Sequence, residues 1–151
     1  MLDETLTVYD RKSWLSLLAT ARAGRAKALL DPLEIPVDFT WLRRPEIGSV
    51  MIRGRAGGTG APFNLGEATV TRCSLKLAGD TVGHGYVQGR AKADAQTAAL
   101  IDALMQTPAA ETLTPRLPDV LRSEQKERRH KRASKAAATK VDFFTMAPGE
   151  G

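Results

Sequence analysis

The chain has 151 residues, of which 42% are hydrophobic and 26% are charged, and its formal net charge is +5. This length supports one domain with one core, and no apolar run approaches the 18 or more residues of a membrane span. The single cysteine, Cys73, excludes an internal disulfide, and the acidic opening MLDETLTVYD lacks the layout of a signal peptide, so we expect a cytoplasmic protein.

The first third of the chain predicts a helix followed by a hairpin. Residues 9–30 carry apolar side chains at helical spacing, and Gly24 is expected to interrupt this helix. Residues 36–44 alternate between apolar and polar side chains, which predicts a first strand, and residues 49–53 predict a second. A turn at residues 45–48 is expected to join these two strands.

A glycine-rich stretch, GRAGGTGAPFNLGEATVTR at residues 54–72, follows the second strand. It is not a Walker-type phosphate loop, because no Lys followed by Ser or Thr opens a helix after it. It is not a dinucleotide-binding loop either, because the run behind it alternates like a strand. Arg53, Arg55 and Arg72 either face water beside a long hairpin connection or contact phosphate where glycines allow close approach.

The middle of the chain predicts two more strands, at residues 68–77 and 81–88. Apolar residues in the first of these strands change parity, which predicts a β-bulge at residues 71–72. Residues 92–106 form the clearest amphipathic helix. We therefore expect an α+β fold with an N-terminal helix, a four-stranded, mostly antiparallel sheet and a packed helix, with residues 1–106 as the compact core.

Residues 107–151 predict a connector, an extended basic helix over residues 119–140 and an apolar tail. Residues 122–140 hold eight Lys or Arg against two Glu, so this helix is polar nearly all round and favours an anionic partner. That partner could be nucleic acid, nucleotide phosphates or an acidic protein surface. The tail either folds back onto the sheet or anchors in a partner protein, and its candidate partner-binding residues are Val141, Phe143, Phe144 and Met146.

Side chains for catalysis are scarce. His84 has no nucleophile or acid partner at an informative spacing, and His130 lies in the basic run KERRHKR. No spacing of His, Cys, Asp or Glu indicates a metal site. We therefore predict no catalytic residue and no metal ligand, while an independent enzyme acting through His84 stays open. A small basic nucleic-acid-binding protein is the alternative function, although the basic run lacks aromatic residues that stack on bases.

Three segments in this order resemble the PhnG family, the G subunit of the bacterial carbon-phosphorus lyase core complex of phosphonate breakdown. They are GGTGAPFNLGEATVTR at residues 57–72, GYVQGRAKADAQTAALIDALMQ at residues 85–106 and KVDFFTM at residues 140–146. The family has Arg-Asp-Lys where this chain has Arg90-Ala91-Lys92, so that acidic group is absent here. Residues 107–139 resemble the family only in length and polarity.

The resemblance implies an accessory or structural subunit of an assembly with H, I and J subunits, of which I is the expected direct neighbour, and with ATP-binding-cassette-type K and L subunits. Together with H, I and L, such chains are required to transfer the ribose triphosphate moiety of ATP to a phosphonate with release of adenine. ATP would be a substrate of the complex, and this chain would bind no cofactor. The glycine stretch is then expected to pack against a sister subunit, with Arg55, Arg72 and Arg90 as candidate anion-binding residues.

Overall fold

The computed structural model describes the backbone of residues 9–146 and the side chains of residues 9–139. This part of the chain has the predicted α+β class. The elements in chain order are α1 (Arg11–Thr20), α2 (Arg25–Leu30), β1 (Phe39–Arg55), β2 (Pro62–Leu77), β3 (Val82–Gln88), α3 (Lys92–Met105), α4 (Ala110–Leu113) and α5 (Pro118–Met146). Among the described residues, no helix is both long and apolar enough to cross a membrane.

Local signals set the ends of the first two helices. The Asp10 carboxylate accepts a hydrogen bond from the Ser13 backbone N–H (2.8 Å) and thereby caps α1. Gly24 has a φ of +75°, a left-handed conformation that favours glycine, and α2 begins at the next residue. The predicted interruption at Gly24 is confirmed, although α1 already ends at Thr20.

The described residues form one antiparallel sheet of three strands in the order β1-β2-β3. The prediction of four strands is wrong, because residues 36–44 and 49–53 contribute to a single strand, β1. The pairing with β2 shifts register between Trp41 and Arg43 and again between Arg43 and Glu46. These irregularities end at Glu46, so they overlap only the start of the predicted turn, and Glu46 to Gly48 pair with β2 in regular register.

The position of β1 explains why a proline does not end this strand. β1 pairs with β2 only, so its other edge carries no ladder of backbone hydrogen bonds. Pro45 lacks a backbone N–H, and an edge strand with a bulge tolerates that loss. Pro45 and Gly48, the residues that predicted a turn, therefore lie inside a long irregular strand.

The glycine stretch forms the outer part of a long hairpin. β1 and β2 pair from Phe39 opposite Leu77 to Arg55 opposite Pro62, whereas β3 reaches β2 only from Lys76 to Val70. Residues 49–69 therefore project beyond the third strand as a two-stranded ribbon, which we call the arm. At about 3.3 Å per residue, β2 runs roughly 23 Å along it. No residue of the arm is buried.

The predicted bulge at residues 71–72 is also wrong, because β2 pairs with β3 without a break there and the register shift opposite Arg72 and Ser74 places the extra residue in β1, between Arg43 and Glu46. The register shift in β2 occurs instead at Leu65, between the partners of Ile52 and Arg53. Apolar residues occur at both even and odd positions of β2 because apolar side chains lie on both faces of this strand. Cys73 and Leu75 are buried towards α3, whereas Val70 is buried on the other face.

The core is formed where α3 packs closely on the sheet. The predicted helix at residues 92–106 is confirmed, and its buried face is rich in alanine. A Cβ atom at Gly83 would lie 2.0 Å from the Ala99 carbonyl oxygen, and one at Gly85 would lie 2.0 Å from that of Ala95. Glycine at these two positions therefore allows the helix backbone to approach β3.

The C-terminal segment is anchored at its start and solvated further on. Leu113 in α4, Leu117 just before α5 and Leu121 in the first turn of α5 are buried in the same core. The prediction that this helix is polar nearly all round therefore fails only at its start. The Tyr9 hydroxyl donates to the Asp119 carboxylate (2.5 Å) and so ties α5 to the start of the described chain. Every residue from 129 to 139 is exposed, as the basic composition predicted.

Candidate interaction surfaces

The most deeply buried acidic group is the carboxylate of Asp102, which is 0% exposed. Its Oδ1 accepts from Trp14 Nε1 (2.8 Å) and Arg11 Nε (3.1 Å), and its Oδ2 accepts from Arg11 Nη2 (2.8 Å) and the His84 backbone N–H (2.8 Å). A carboxylate offers about four acceptor sites, so this one is fully used. Asp102 is a structural clamp that ties α1 and β3 to α3.

A serine and a histidine face each other across β2 and β3. Ser74 Oγ lies 2.8 Å from His84 Nδ1, a partner that the sequence spacing did not reveal because the pairing is cross-strand. The pair lies on the face of the sheet that α3 does not cover, and both side chains reach solvent. Asp102 bonds the His84 backbone rather than its ring, so no carboxylate orients the imidazole as a catalytic triad requires.

The single cysteine is buried and hydrogen-bonded. Burial raises the pKa of the Cys73 thiol to about 11, and the thiol donates a hydrogen bond to the Ala95 carbonyl (3.2 Å). Cys73 is therefore a buried free thiol. Across the residues that the structure describes, no three His, Cys, Asp or Glu side chains come together as a metal site would require.

The three candidate anion-binding arginines do not converge. Arg55 lies at the tip of the arm opposite Pro62, and Arg72 lies ten residues further along β2, opposite Glu46. Ten residues of strand span roughly 30 Å, so Arg55 and Arg72 cannot hold one small ligand. Arg90 lies in the connection between β3 and α3, and all three side chains are exposed.

The cations that do come together line a cleft between the end of α1, the end of β3 and α5. The cleft has a volume of about 620 Å³, and none of the described residues on its walls is acidic. Within it, Gln125 Nε2 donates to Thr20 Oγ1 (3.2 Å). The lining residues are Thr20, Arg22, Gln88, Gln125, Arg128, Arg129, Lys131 and Arg132.

Helical spacing could have revealed this cleft from the sequence. Residues 125, 128, 129 and 132 repeat at intervals of three and four, which places them on one face of α5. The prediction of an anionic partner for the basic segment rested on its number of Lys and Arg residues and did not say which of them form one surface. The structure adds that Arg22 and Gln88 face the same groove.

Most of the exposed large hydrophobic side chains lie on the arm. Seven large hydrophobic side chains among the described residues are exposed, and four of them belong to residues 49–69. Their exposed fractions are Met51 54%, Ile52 44%, Phe63 46% and Leu65 61%. Exposed apolar side chains grouped in this way are typical of protein interaction sites.

The predicted partner-binding tail lies at the end of α5. The backbone helix continues to Met146, so residues 141–146 are helical. The side chains of Val141, Phe143, Phe144 and Met146 lie outside the described residues. Whether they pack on this chain or on a partner stays a prediction.

Comparison with known proteins gives one family and a close relative. The sequence profile described as "Phosphonate metabolism protein PhnG" matches residues 9–149. A protein of Rhizobium meliloti (strain 1021), described as "Alpha-D-ribose 1-methylphosphonate 5-triphosphate synthase subunit PhnG", is 41% identical over 143 residues. That alignment covers 95% of this chain and 92% of the relative. The chain therefore belongs to the PhnG family of phosphonate metabolism proteins.

Proposed function

We propose that this chain is an accessory subunit of α-D-ribose 1-methylphosphonate 5-triphosphate synthase, a multi-subunit transferase. The observation that carries the proposal is the near end-to-end similarity to a relative named as a subunit of that enzyme, at 41% identity. The reaction transfers the ribose triphosphate moiety of ATP to a phosphonate and releases adenine. ATP is then a substrate of the complex, and this chain contributes no cofactor of its own.

The polar groups of the described chain support an accessory role. Leaving-group departure from a ribose calls for a positioned acid or base in a site that excludes water. The Asp102 carboxylate is committed to four internal hydrogen bonds, and the Ser74–His84 pair lies on an open sheet face. The chemistry is therefore assigned to sister subunits.

The partners in this proposal are the H, I and J subunits of the carbon-phosphorus lyase core complex, with I as the direct neighbour, and the ATP-binding-cassette-type K and L subunits. The tail residues Val141, Phe143, Phe144 and Met146 contact a sister subunit. Arg55, Arg72 and Arg90 bind anionic groups, at separate places because of the distance between the first two. The assembly works in the cytoplasm.

The proposal is tested by co-expressing this chain with the other subunits of the synthase from the same organism. We expect stoichiometric co-purification, and phosphonate-dependent release of adenine from ATP that disappears when this chain is omitted. A His84→Ala variant should retain that activity. Loss of adenine release in His84→Ala with an intact assembly would instead place catalysis in this chain.

The exposed basic stretch of α5 supports one competing function, binding of nucleic acid. Such binding would weaken linearly in a plot of log affinity against log salt concentration, with a slope set by the number of phosphates contacted. We expect no specific binding of a 20-base-pair duplex at 0.15 M salt. Tight, steeply salt-dependent binding without co-purification of other subunits would favour the competing function.

A further inference from the structure

The arm carries a strip of apolar side chains that no other described part of the chain covers. Residues directly opposite in an antiparallel pair lie on the same face, and here Val50 is opposite Ala68 and Gly54 is opposite Phe63. A Cβ atom at Gly54 would lie 2.8 Å from Leu65 Cδ1, so Leu65 lies across that glycine. The apolar strip consists of Val50, Ile52, Phe63, Leu65 and Ala68.

The apolar strip lies on the face of the sheet that none of the described helices covers. Its rungs continue in register to Val70 and Arg72, which alternate with the residues that face α3. Met51 belongs to the other face of the arm, because successive side chains of a strand point to opposite sides. The two faces of the arm can therefore be tested separately.

The arm is expected to pack against another surface, because its apolar strip is exposed. A two-stranded hairpin alone is marginally stable in water, and no residue of the arm is buried. Apolar side chains on both strands of the arm stay in contact with water in the isolated chain. Burial against another surface would remove this unfavourable exposure and fix the ribbon.

The charges around the arm indicate the chemistry of that surface. Residues 39–77 hold six Lys or Arg against two Glu. Their arginines are all exposed, and none forms an ion pair within the described residues, namely Arg43, Arg44, Arg53, Arg55 and Arg72. A second copy of this chain, with its net charge of +5, would bring like charges together. A surface edged by carboxylates would be complementary.

We infer that the apolar strip docks into an apolar groove of another subunit of the synthase, and that acidic residues at the rim of the groove pair with Arg43 and Arg72, whose rungs share the face of the apolar strip. This inference rests on the proposed function and adds the surface that makes the contact. The apolar strip supplies affinity, and the arginines supply orientation and a faster encounter. Arg72 in this arrangement binds a protein carboxylate at the base of the arm, whereas Arg55 lies on the other face together with Met51.

The test uses the affinity-tagged full chain co-expressed with the other subunits of the synthase. The double variant Ile52→Ser, Leu65→Ser should recover at least about tenfold less of those subunits per tagged chain, since buried anchors dominate interfaces. Met51→Ser, equally exposed on the other face, is the matched control and should recover normal amounts. All three replaced side chains are exposed, so thermal melting of the isolated variants should match the parent.

The charge component has its own pair of variants. Arg43→Glu with Arg72→Glu should reduce recovery of the other subunits, and 0.5 M salt should shrink the difference from the parent because it screens surface charge. Arg116→Glu, an exposed arginine outside the sheet, should behave like the parent. Equal effects of Arg116→Glu and the double arginine variant would contradict a charged rim at the base of the arm.

The outcomes separate this inference from the proposed function. If the parent chain recovers no other subunit, the proposed function fails; if the double variant recovers as much as the parent, only the inference about the arm is overturned. Equal losses in Met51→Ser would overturn the assignment of the face. If the parent bound phosphatidylserine vesicles and the double variant did not, the partner of the apolar strip would be a membrane. If the parent dimerised in light scattering and the double variant did not, the partner would be a second copy of this chain. Either result would overturn the inferred subunit contact.

Discussion

Replacement of Asp102 by Asn tests whether the buried carboxylate holds α1 to the sheet. Asn keeps the shape of the side chain but turns one oxygen into an NH2 group. Each carboxylate oxygen accepts from two donors, so in either orientation the new amide nitrogen faces two donors and can accept from neither. Since the Arg11 side chain is 42% exposed, it can turn to water, but Trp14 Nε1 or the His84 backbone N–H cannot.

The expected loss follows from that count of donors. A buried donor without a partner costs about 1–3 kcal/mol, and breaking a buried ion pair costs about 3–5 kcal/mol. We expect Asp102→Asn to lower the free energy of unfolding by about 2–4 kcal/mol. For a chain of this length about 1 kcal/mol corresponds to roughly 2–4 °C, so the melting temperature should fall by roughly 4–16 °C.

The measurement is urea unfolding followed by circular dichroism and tryptophan fluorescence. Asp94→Asn in the same helix is the matched control, because the Asp94 carboxylate accepts a single hydrogen bond from the exposed Gly24 N–H (3.0 Å). That control should cost about 1 kcal/mol or less. In a double-mutant cycle, Arg11→Ala and Asp102→Asn should cost less together than the sum of the single changes. Equal costs for Asp102→Asn and Asp94→Asn would refute the clamp.

Four further results are expected. Gly83→Ala should destabilise the fold by about 1–3 kcal/mol or more, because its Cβ atom meets helix backbone, whereas Gly79→Ala, whose Cβ atom meets nothing within 4 Å, should leave urea midpoints nearly unchanged. Burial raises the pKa of Tyr9 to about 12, so the folded state disfavours the phenolate. The stability that the neutral hydroxyl contributes is complete below pH 10 and is lost as the pH rises to about 12. Tyr9→Phe should therefore remove this part of the pH dependence of the urea midpoint. The Cys73 thiol should react with an aromatic disulfide reagent at pH 8 much more slowly in the native protein than in urea, and rapid native labelling would contradict its burial. Deletion of residues 141–151 should reduce co-purification of the other subunits more than it lowers the melting temperature, and an undiminished recovery would count against the tail as a binding element.

Local periodicity correctly predicted the helices and strands whose sequence signals lie within the element itself. Helix α3 and strand β3 follow from spacing and from the glycines at positions 83 and 85, because these signals lie within a few residues of one another. The turn at residues 45–48 was predicted wrongly for the same reason. Pro45 is a turn residue by local preference, but its place on the free edge of β1 is decided by which strands pair.

The parts of the site that escaped the sequence depend on distant pairing. Asp102 meets Arg11 and Trp14 across 91 and 88 residues, and no spacing rule connects them. One signal was present, because Asp102 stands among the apolar residues of the buried face of α3. A buried charge must be paired, so a search for its partner would have begun there. The Ser74–His84 pair likewise required the register of β2 and β3.

The distribution of apolar residues separates the needs of folding from those of association. The core is built from small residues of α3 against glycines of β3, which allows close backbone contact with few aromatic side chains. Several of the large hydrophobic side chains lie instead on the arm, where they contribute nothing to that core. Substitutions at Ile52 and Leu65 should therefore change assembly without changing melting, whereas substitutions at Gly83 should change melting first. Keeping the core and the arm in separate residues allows the chain to fold on its own and still leave the apolar side chains of the arm free to bind another subunit.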